Sequence, residues 1–242
     1  MRLAVVSDVH GSLAALEAVI ADLRREGPDL IVQGGDLALG GPRPAEVVDR
    51  IRELGWPGVV GNTDELLWRP ESRAEQEARA PKLSALLRVI FDEQAPATRD
   101  LLGEERIAWL RRLPADLSAH GVNLVHASPG DLWRAPMPDA PDRELAEAYE
   151  GLRPVAVYGH IHRPFVRELE GLVVANSGSV GMPFDGDWRA SYLLVEDGAV
   201  RVRRVEYDLE RELDELESSG YPDAPRLAQT RRTGRYVSPR SP

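Results

Sequence analysis

Short apolar runs alternate with amphipathic stretches along the first sixty residues. RLAVVS (2–7) has the continuous apolar character of a buried strand. SLAALEAVIADLRREG (12–27) comes next with Leu13, Leu16, Ile20 and Leu23 on one helical face, Ser12 placed as N-cap and Gly27 as the stop. DLIVQGGD (29–36) predicts a second strand, and RPAEVVDRIRELG (43–55) a second helix with Val47, Val48, Ile51 and Leu54 inward. GVV (58–60) predicts a third, short strand. This repetition predicts a largely parallel sheet with right-handed crossovers.

Residues 65–113 break the rhythm, with helical spacing at Leu83, Leu86, Leu87 and Ile90 and again at Ile107, Leu110 and Leu113. They read as a helical insertion that either shapes an entrance or enlarges the core. Strand signals resume at VNLVHAS (122–128), PVAVYGHIH (154–162) and LVVANSGSVG (172–181). ASYLLVE and AVRVRRVEY predict a hairpin turning at Asp197-Gly198, and LERELDELESSG (209–220) an amphipathic helix. From residue 226 to 242 five arginines (Arg226, Arg231, Arg232, Arg235, Arg240) occur without an acidic residue, so a solvated or loosely docked basic tail is expected. Nothing divides the 242 residues into more than one domain.

Composition narrows the function classes. A formal charge of −10 repels phosphate backbones, so general nucleic-acid binding is not expected. With no cysteine, disulfides, thiolate metal sites and Cys nucleophiles are excluded. The apolar start is too short for a signal peptide, and no run has the length of a membrane span, so a cytoplasmic protein without membrane association is expected.

The apolar runs gain a second meaning from the residues at their ends: Asp8-Val-His10, then Asp36, Asn62, His126 and His160-Ile-His162. Four of the five histidines stand in these places, and His120 reads as an ordinary turn residue. In open α/β sheets ligands bind beyond the carboxyl ends of strands. Each piece alone has a plain reading. Asp8 and His10 suit a capped turn, Asp36 an N-cap, Asn62-Thr63-Asp64 turn chemistry, and His126 a hydrogen-bonded structural imidazole. His160 and His162 point the same way if the chain is extended there. Together the five strand ends favour a metal site over five coincidences.

The ordered set DVH, GGD, GNTD, VHAS and GHIH, residues 8 to 162, resembles the calcineurin-like metallophosphoesterase superfamily. NSGSVG (176–181) is similar to a further loop of its small bacterial members. The resemblance implies a four-layer α/β/β/α sandwich with two divalent ions. Asp8, His10 and His162 would hold one and Asn62, His126 and His160 the other, with Asp36 bridging them and holding the hydroxide. Such ions sit roughly 3.5–4 Å apart and activate a water against a phosphoryl group. Manganese is the expected metal, and iron, zinc, cobalt or nickel suit the same donors. Asp64, Arg163 and Asn176 are candidates for substrate contacts or for supporting the ligands. Arg43 also lies close to a motif, and Trp68, Trp109 and Trp133 could line an entrance.

Two departures refine the expected activity. Many members carry histidine where this chain has Thr63, and a missing general acid costs on the order of 10²–10⁴ in rate for poor leaving groups. The arginine that follows the Gly-Asp motif in Ser/Thr protein phosphatases and symmetrical diadenosine tetraphosphatases is absent from GGDLALGG (34–41). A phosphodiesterase acting on a small phosphate ester is therefore expected. Phosphomonoesterase or dinucleoside polyphosphate hydrolase activity is the alternative, and a silent protein-binding scaffold is the rival from another class.

Overall fold

The computed structural model describes residues 1–239, so Arg240 lies outside the described residues. Nine strands form among them: β1 (Arg2–Val6), β2 (Leu30–Gln33), β3 (Asp116–Ala119), β4 (Val122–Val125), β5 (Val155–Tyr158), β6 (Phe165–Leu169), β7 (Leu172–Asn176), β8 (Ala190–Glu196) and β9 (Ala199–Val205). They make two sheets, one of order β2-β1-β8-β9 and one of order β3-β4-β5-β7-β6. Pairing is parallel for β1–β2, β4–β5 and β5–β7 and antiparallel elsewhere. The expected largely parallel sheet is thus corrected to two mixed ones. In the first sheet the C-terminal hairpin pairs β8 antiparallel with β1 and leaves β9 at the outer edge. In the second the antiparallel pairs β3–β4 and β6–β7 close the two edges. The turn of the C-terminal hairpin is the expected one, with φ of 50° at Asp197 and 84° at Gly198.

The GVV run is not a strand. Gly58 makes a single bridge with Gln33; Val59 N–H still donates to Gln33 O at 3.1 Å, but Val60 N–H turns away to Pro114 O at 2.9 Å. At the start of the first helix, the Ser12 hydroxyl makes no cap bond, whereas Gly27 ends that helix in the left-handed conformation at φ 62°.

Period-two alternation in β1 explains the layers. Leu3 and Val5 face the inter-sheet core, which they share with Val122 and Leu124 of β4, Val155 and Val157 of β5, and Leu193 and Val195 of β8. Ala4 and Val6 face the opposite way, onto α1 (Leu13–Glu26) and α2 (Pro44–Leu54), through Leu16, Val19, Ile20, Val47, Val48 and Ile51. The second sheet turns Ala156, Tyr158 and Val174 onto a helix over Asp142–Tyr149 through Leu145 and Tyr149. The result is the expected α/β/β/α sandwich, with strands buried on both faces and so apolar at nearly every position.

Between α2 and β3 the chain is helical: α3 (Asn62–Glu65), α4 (Arg73–Arg79), α5 (Ser84–Arg88), a π-helical turn (Val89–Gln94) and α6 (Ala95–Leu110), which kinks at Gly103. After α7 (Asp142–Tyr149) the helices resume beyond β9 with α8 (Leu209–Ser218) and α9 (Ala224–Thr233). The expected loose tail is corrected here. α9 packs Leu227 and Ala228 against Leu213, Leu216 and Met182, Arg231 is fully buried, and Arg232 pairs with Glu210 at 3.3 Å. Among the described residues no helix is long and apolar enough to cross a membrane.

Candidate metal centre

The strand-end residues converge in one place. Asp8, His10, Asp36 and His162 are buried, and each offers a ligand atom within 4.8 Å of the others. Beside them Asn62 Oδ1 lies 2.8 Å from His126 Nε2 and 2.9 Å from His160 Nδ1. Asp36 stands between the two groups, with Oδ1 3.5 Å from His126 Nε2 and Oδ2 3.7 Å from His10 Nε2.

The backbone aims these side chains by leaving the strand conformation. Asp8, His10, Asp36, His160 and His162 all have positive φ, between 50° and 64°. Asp and His tolerate that region better than most residues, and here backbone bonds hold them in it. Asp8 N–H donates to Gly35 O and His10 N–H to Asp36 O, each at 3.0 Å. The glycines of two motifs have a steric cause. A Cβ on Gly61 would meet Asp36 Oδ1 at 2.1 Å, and one on Gly159 would meet Asp8 Oδ2 at 2.3 Å.

Hydrogen-bond direction shows what the cluster lacks. Each imidazole places one nitrogen on a backbone carbonyl: His10 Nδ1 on Leu39 at 2.6 Å, His162 Nδ1 on Met182 at 2.6 Å, His126 Nδ1 on Gly34 at 2.8 Å and His160 Nε2 on Trp133 at 3.1 Å. A carbonyl only accepts, so those nitrogens carry the proton and the other nitrogen of each ring keeps its lone pair. Those lone pairs face inward. His10 Nε2 and His162 Nε2 confront each other at 3.1 Å, and His162 Nε2 also lies 3.1 Å from Asp8 Oδ1. Turning the Asn62 amide would give His126 and His160 a donor, whereas between His10 and His162 only added positive charge, a proton or a cation, relieves the contact. Acceptors crowded on acceptors fit a bound cation, and oxygen and nitrogen donors without sulfur fit a divalent one.

Electrostatics agree with that arrangement. Burial pushes His10 and His160 down to about 4, leaving both neutral and ready to ligate near pH 7. Burial alone would raise Asp8, but positive charge on the facing imidazoles, His162 first, holds its carboxyl well below the usual carboxylate range, and a bound cation would act in the same direction. For His126 burial acts downward, and the charges of Asp36 and Asp8 outweigh it and raise the ring.

Other expected residues fall into distinct places. Asp64 is buried and accepts from Asp36 N–H at 2.8 Å, Gly61 N–H at 3.1 Å and Leu37 N–H at 3.1 Å, so it shapes the Asp36 loop. Burial and the neighbouring Asp36 charge raise its pKa. Asn176 donates to Gly159 O at 2.5 Å and accepts from Gly178 N–H at 2.8 Å, fixing the turn ahead of His160. Arg163 is exposed and does not line the cavity over the cluster. Arg43 pairs with Glu46 at 2.8 Å and Glu215 at 3.6 Å. Trp68, Trp109 and Trp133 pack partly buried against the helical core rather than lining that cavity.

Arg231 carries a role that its local sequence hides. From α9 its guanidinium donates to the carbonyls of Gly181 at 3.0 Å, His10 at 3.1 Å and Gly40 at 2.9 Å. Those carbonyls belong to the loops that carry His10 and flank Leu39 and Met182, the partners of His10 and His162. The buried Glu212 lies 3.8 Å away and supplies an opposite charge. No local pattern marks Arg231, because its hydrogen-bond partners are 50 to 221 residues distant.

A two-sheet sandwich that gathers carboxylates and imidazoles at its strand ends has the donor set of a divalent-cation site. The chain belongs to the calcineurin-like phosphoesterase superfamily, whose domain matches residues 1–197, and it is a hydrolase of phosphate esters. It is 29% identical to protein MJ0912 of Methanocaldococcus jannaschii over 91% of this chain and 94% of that protein. To phosphodiesterase YfcE of Escherichia coli it is 26% identical over 84% of this chain and 91% of that one. The crystal structure of a metallophosphoesterase from Sphaerobacter thermophilus superposes with a TM-score of 0.78 at 28% identity, covering 97% of this chain and 99% of that one.

Proposed function

We propose that the protein is a phosphodiesterase that works with two divalent cations, manganese foremost, on a small phosphate ester. The observation that carries this reading is Asp36, whose two oxygens turn to different imidazoles, His126 at 3.5 Å and His10 at 3.7 Å. One carboxylate so placed serves both groups and fixes their spacing. Asp8, His10 and His162 would hold one cation, and Asn62, His126 and His160 the other. When bound, the pair supplies Lewis acidity toward phosphoryl oxygens and lowers the pKa of a water toward about 7. The chain contributes orientation: four imidazoles are locked in one tautomer by backbone carbonyls, and Asp64 holds the Asp36 loop from behind. Asn62 leaves its group one negative charge poorer than the Asp8 group, so the two sites differ in affinity.

Thr63 sets the leaving-group preference. It lines the cavity, and its buried hydroxyl has no hydrogen-bond partner among the described residues. A hydroxyl of this type cannot donate a proton as a general acid near neutral pH, so esters with good leaving groups are favoured. Thr63→His would not supply the missing acid, because Asp64, the residue that would orient the ring, already accepts three backbone N–H groups. The test is a pair of initial rates with Mn²⁺, on bis-p-nitrophenyl phosphate and on an unactivated alkyl monoester. The diester is expected to react faster, and a faster monoester would overturn the reading.

A further inference from the structure

We propose that the site selects phosphate esters in which one arm is a single apolar ring, and that the cavity wall beside the metal-binding cluster reads this arm. The inference takes from the phosphodiesterase reading only the position of the phosphoryl group, at the cluster. The cavity above the cluster has a volume of about 150 Å³. The cavity opens to solvent, so the apolar character of its wall, and not its size, is what would select the arm.

The wall is apolar and comes from three separate parts of the chain. Leu86 and Ile90 descend from α5 and the π-helical turn, Met182 and Phe184 from the loop after β7, and Leu227 and Tyr236 from α9 and the segment beyond it. Phe184 stacks on the His162 ring with centroids 4.4 Å apart and planes 25° from parallel, and Tyr236 meets Phe184 edge-on at 5.8 Å. This aromatic corner stands directly beside a residue of the cluster, where an ester arm leaving the phosphorus must pass.

Two polar side chains of the wall, Arg226 and Gln94, are already engaged, and the unpartnered Thr63 hydroxyl lies down beside Asp36 at the cluster. Arg226 is paired with Asp223 and donates to Val237 O at 3.2 Å, and Gln94 donates to Pro222 O at 3.5 Å. A sugar in this space would set hydroxyls against leucine, isoleucine and phenylalanine and lose their hydration without replacement. An aromatic ring would bury its faces and gain edge-to-face contact.

Binding calorimetry on the Mn²⁺-loaded protein tests this with phenylphosphonate and methylphosphonate, which share one charged head and differ in the arm. Burial of the ring predicts that phenylphosphonate binds at least about 10-fold tighter. Leu86 and Ile90 are half-buried; Leu86→Asn leaves the main core untouched, and Ile90→Asn, where the native side chain also packs against that core, is read with Leu86→Asn as its control. Each should shrink the preference and leave methylphosphonate affinity within about twofold, with far-UV circular dichroism unchanged. Equal affinities in the wild type overturn the inference, as does a preference that survives both substitutions together. Neither outcome requires turnover. A protein that prefers the phenyl ligand yet cleaves no diester sinks the phosphodiesterase reading alone, and one that cleaves diesters but binds both ligands alike sinks this inference alone.

Discussion

The imidazole nitrogens and carboxylate oxygens that face inward on the floor of the cavity are acceptors, whereas Leu86, Ile90 and Phe184 on its wall present no polar atom. The floor is built from strand ends in left-handed backbone, five residues with φ from 50° to 64°. The wall is built from α5, the π-helical turn, the loop after β7, α9 and the segment following α9. The floor is held by short hydrogen bonds to carbonyls, so a single atom out of place is costly; the wall is held by apolar contact and tolerates change. The difference separates two tasks: the floor handles charge and chemistry, and the wall judges the substituent attached to it.

The largest effect should come from Asp36→Asn, which keeps the shape and removes the charge shared by both groups. It should lower kcat by more than about 100-fold, beyond the 10–100-fold typical of residues that only support ligands. A loss below about tenfold, with the fold intact by circular dichroism, would show that Asp36 serves one group only.

Arg231→Met should come next, since it strips three carbonyls of a donor and leaves Glu212 buried without its partner. Breaking a buried pair from one side costs about 3–5 kcal/mol, measurable by urea unfolding. A weakened Mn²⁺ affinity in the folded variant would tie the arginine to the floor, and unchanged affinity would confine it to stability. Metal removal is a step smaller. Chelation should lower stability by about 2.7 kcal/mol for a site previously at a hundredfold excess over Kd, and an unmoved Tm would argue against cation binding. Least affected should be His120→Asn, an exposed turn position at φ 51° where asparagine keeps the left-handed backbone. Activity should stay within about twofold and stability within about 0.5 kcal/mol, and a larger loss of activity would put His120 into the site.

The floor was legible because its chemistry is local to strand ends. Asp8 and His10 follow one apolar run, His160 and His162 another, and the unbroken apolar run from Leu3 to Val6 already marks β1 as buried on both sides. The wall was not, for a physical reason. Leu86 and Ile90 carry the i, i+4 spacing of any helix face, which is the same whether that face meets a core or a cavity. Arg231 stands in a run of arginines with no acidic neighbour, so local charge predicts a solvated tail. Its partners, Glu212 and the carbonyls of His10 and Gly40, can be found only once the chain is folded. The insertion of β8 beside β1 was hidden likewise, because a hairpin's own sequence does not name the strand it joins.

The central claim is that one carboxylate, Asp36, joins two cation sites. Electron paramagnetic resonance of the protein titrated with Mn²⁺ addresses it directly, since two ions sharing a ligand are exchange-coupled. One equivalent should give the six-line spectrum of an isolated ion, and a second should convert it to the multiline spectrum of a coupled pair. In Asp36→Asn that conversion should fail. A wild-type protein that binds a single ion, or two ions that keep independent six-line spectra, would contradict the account.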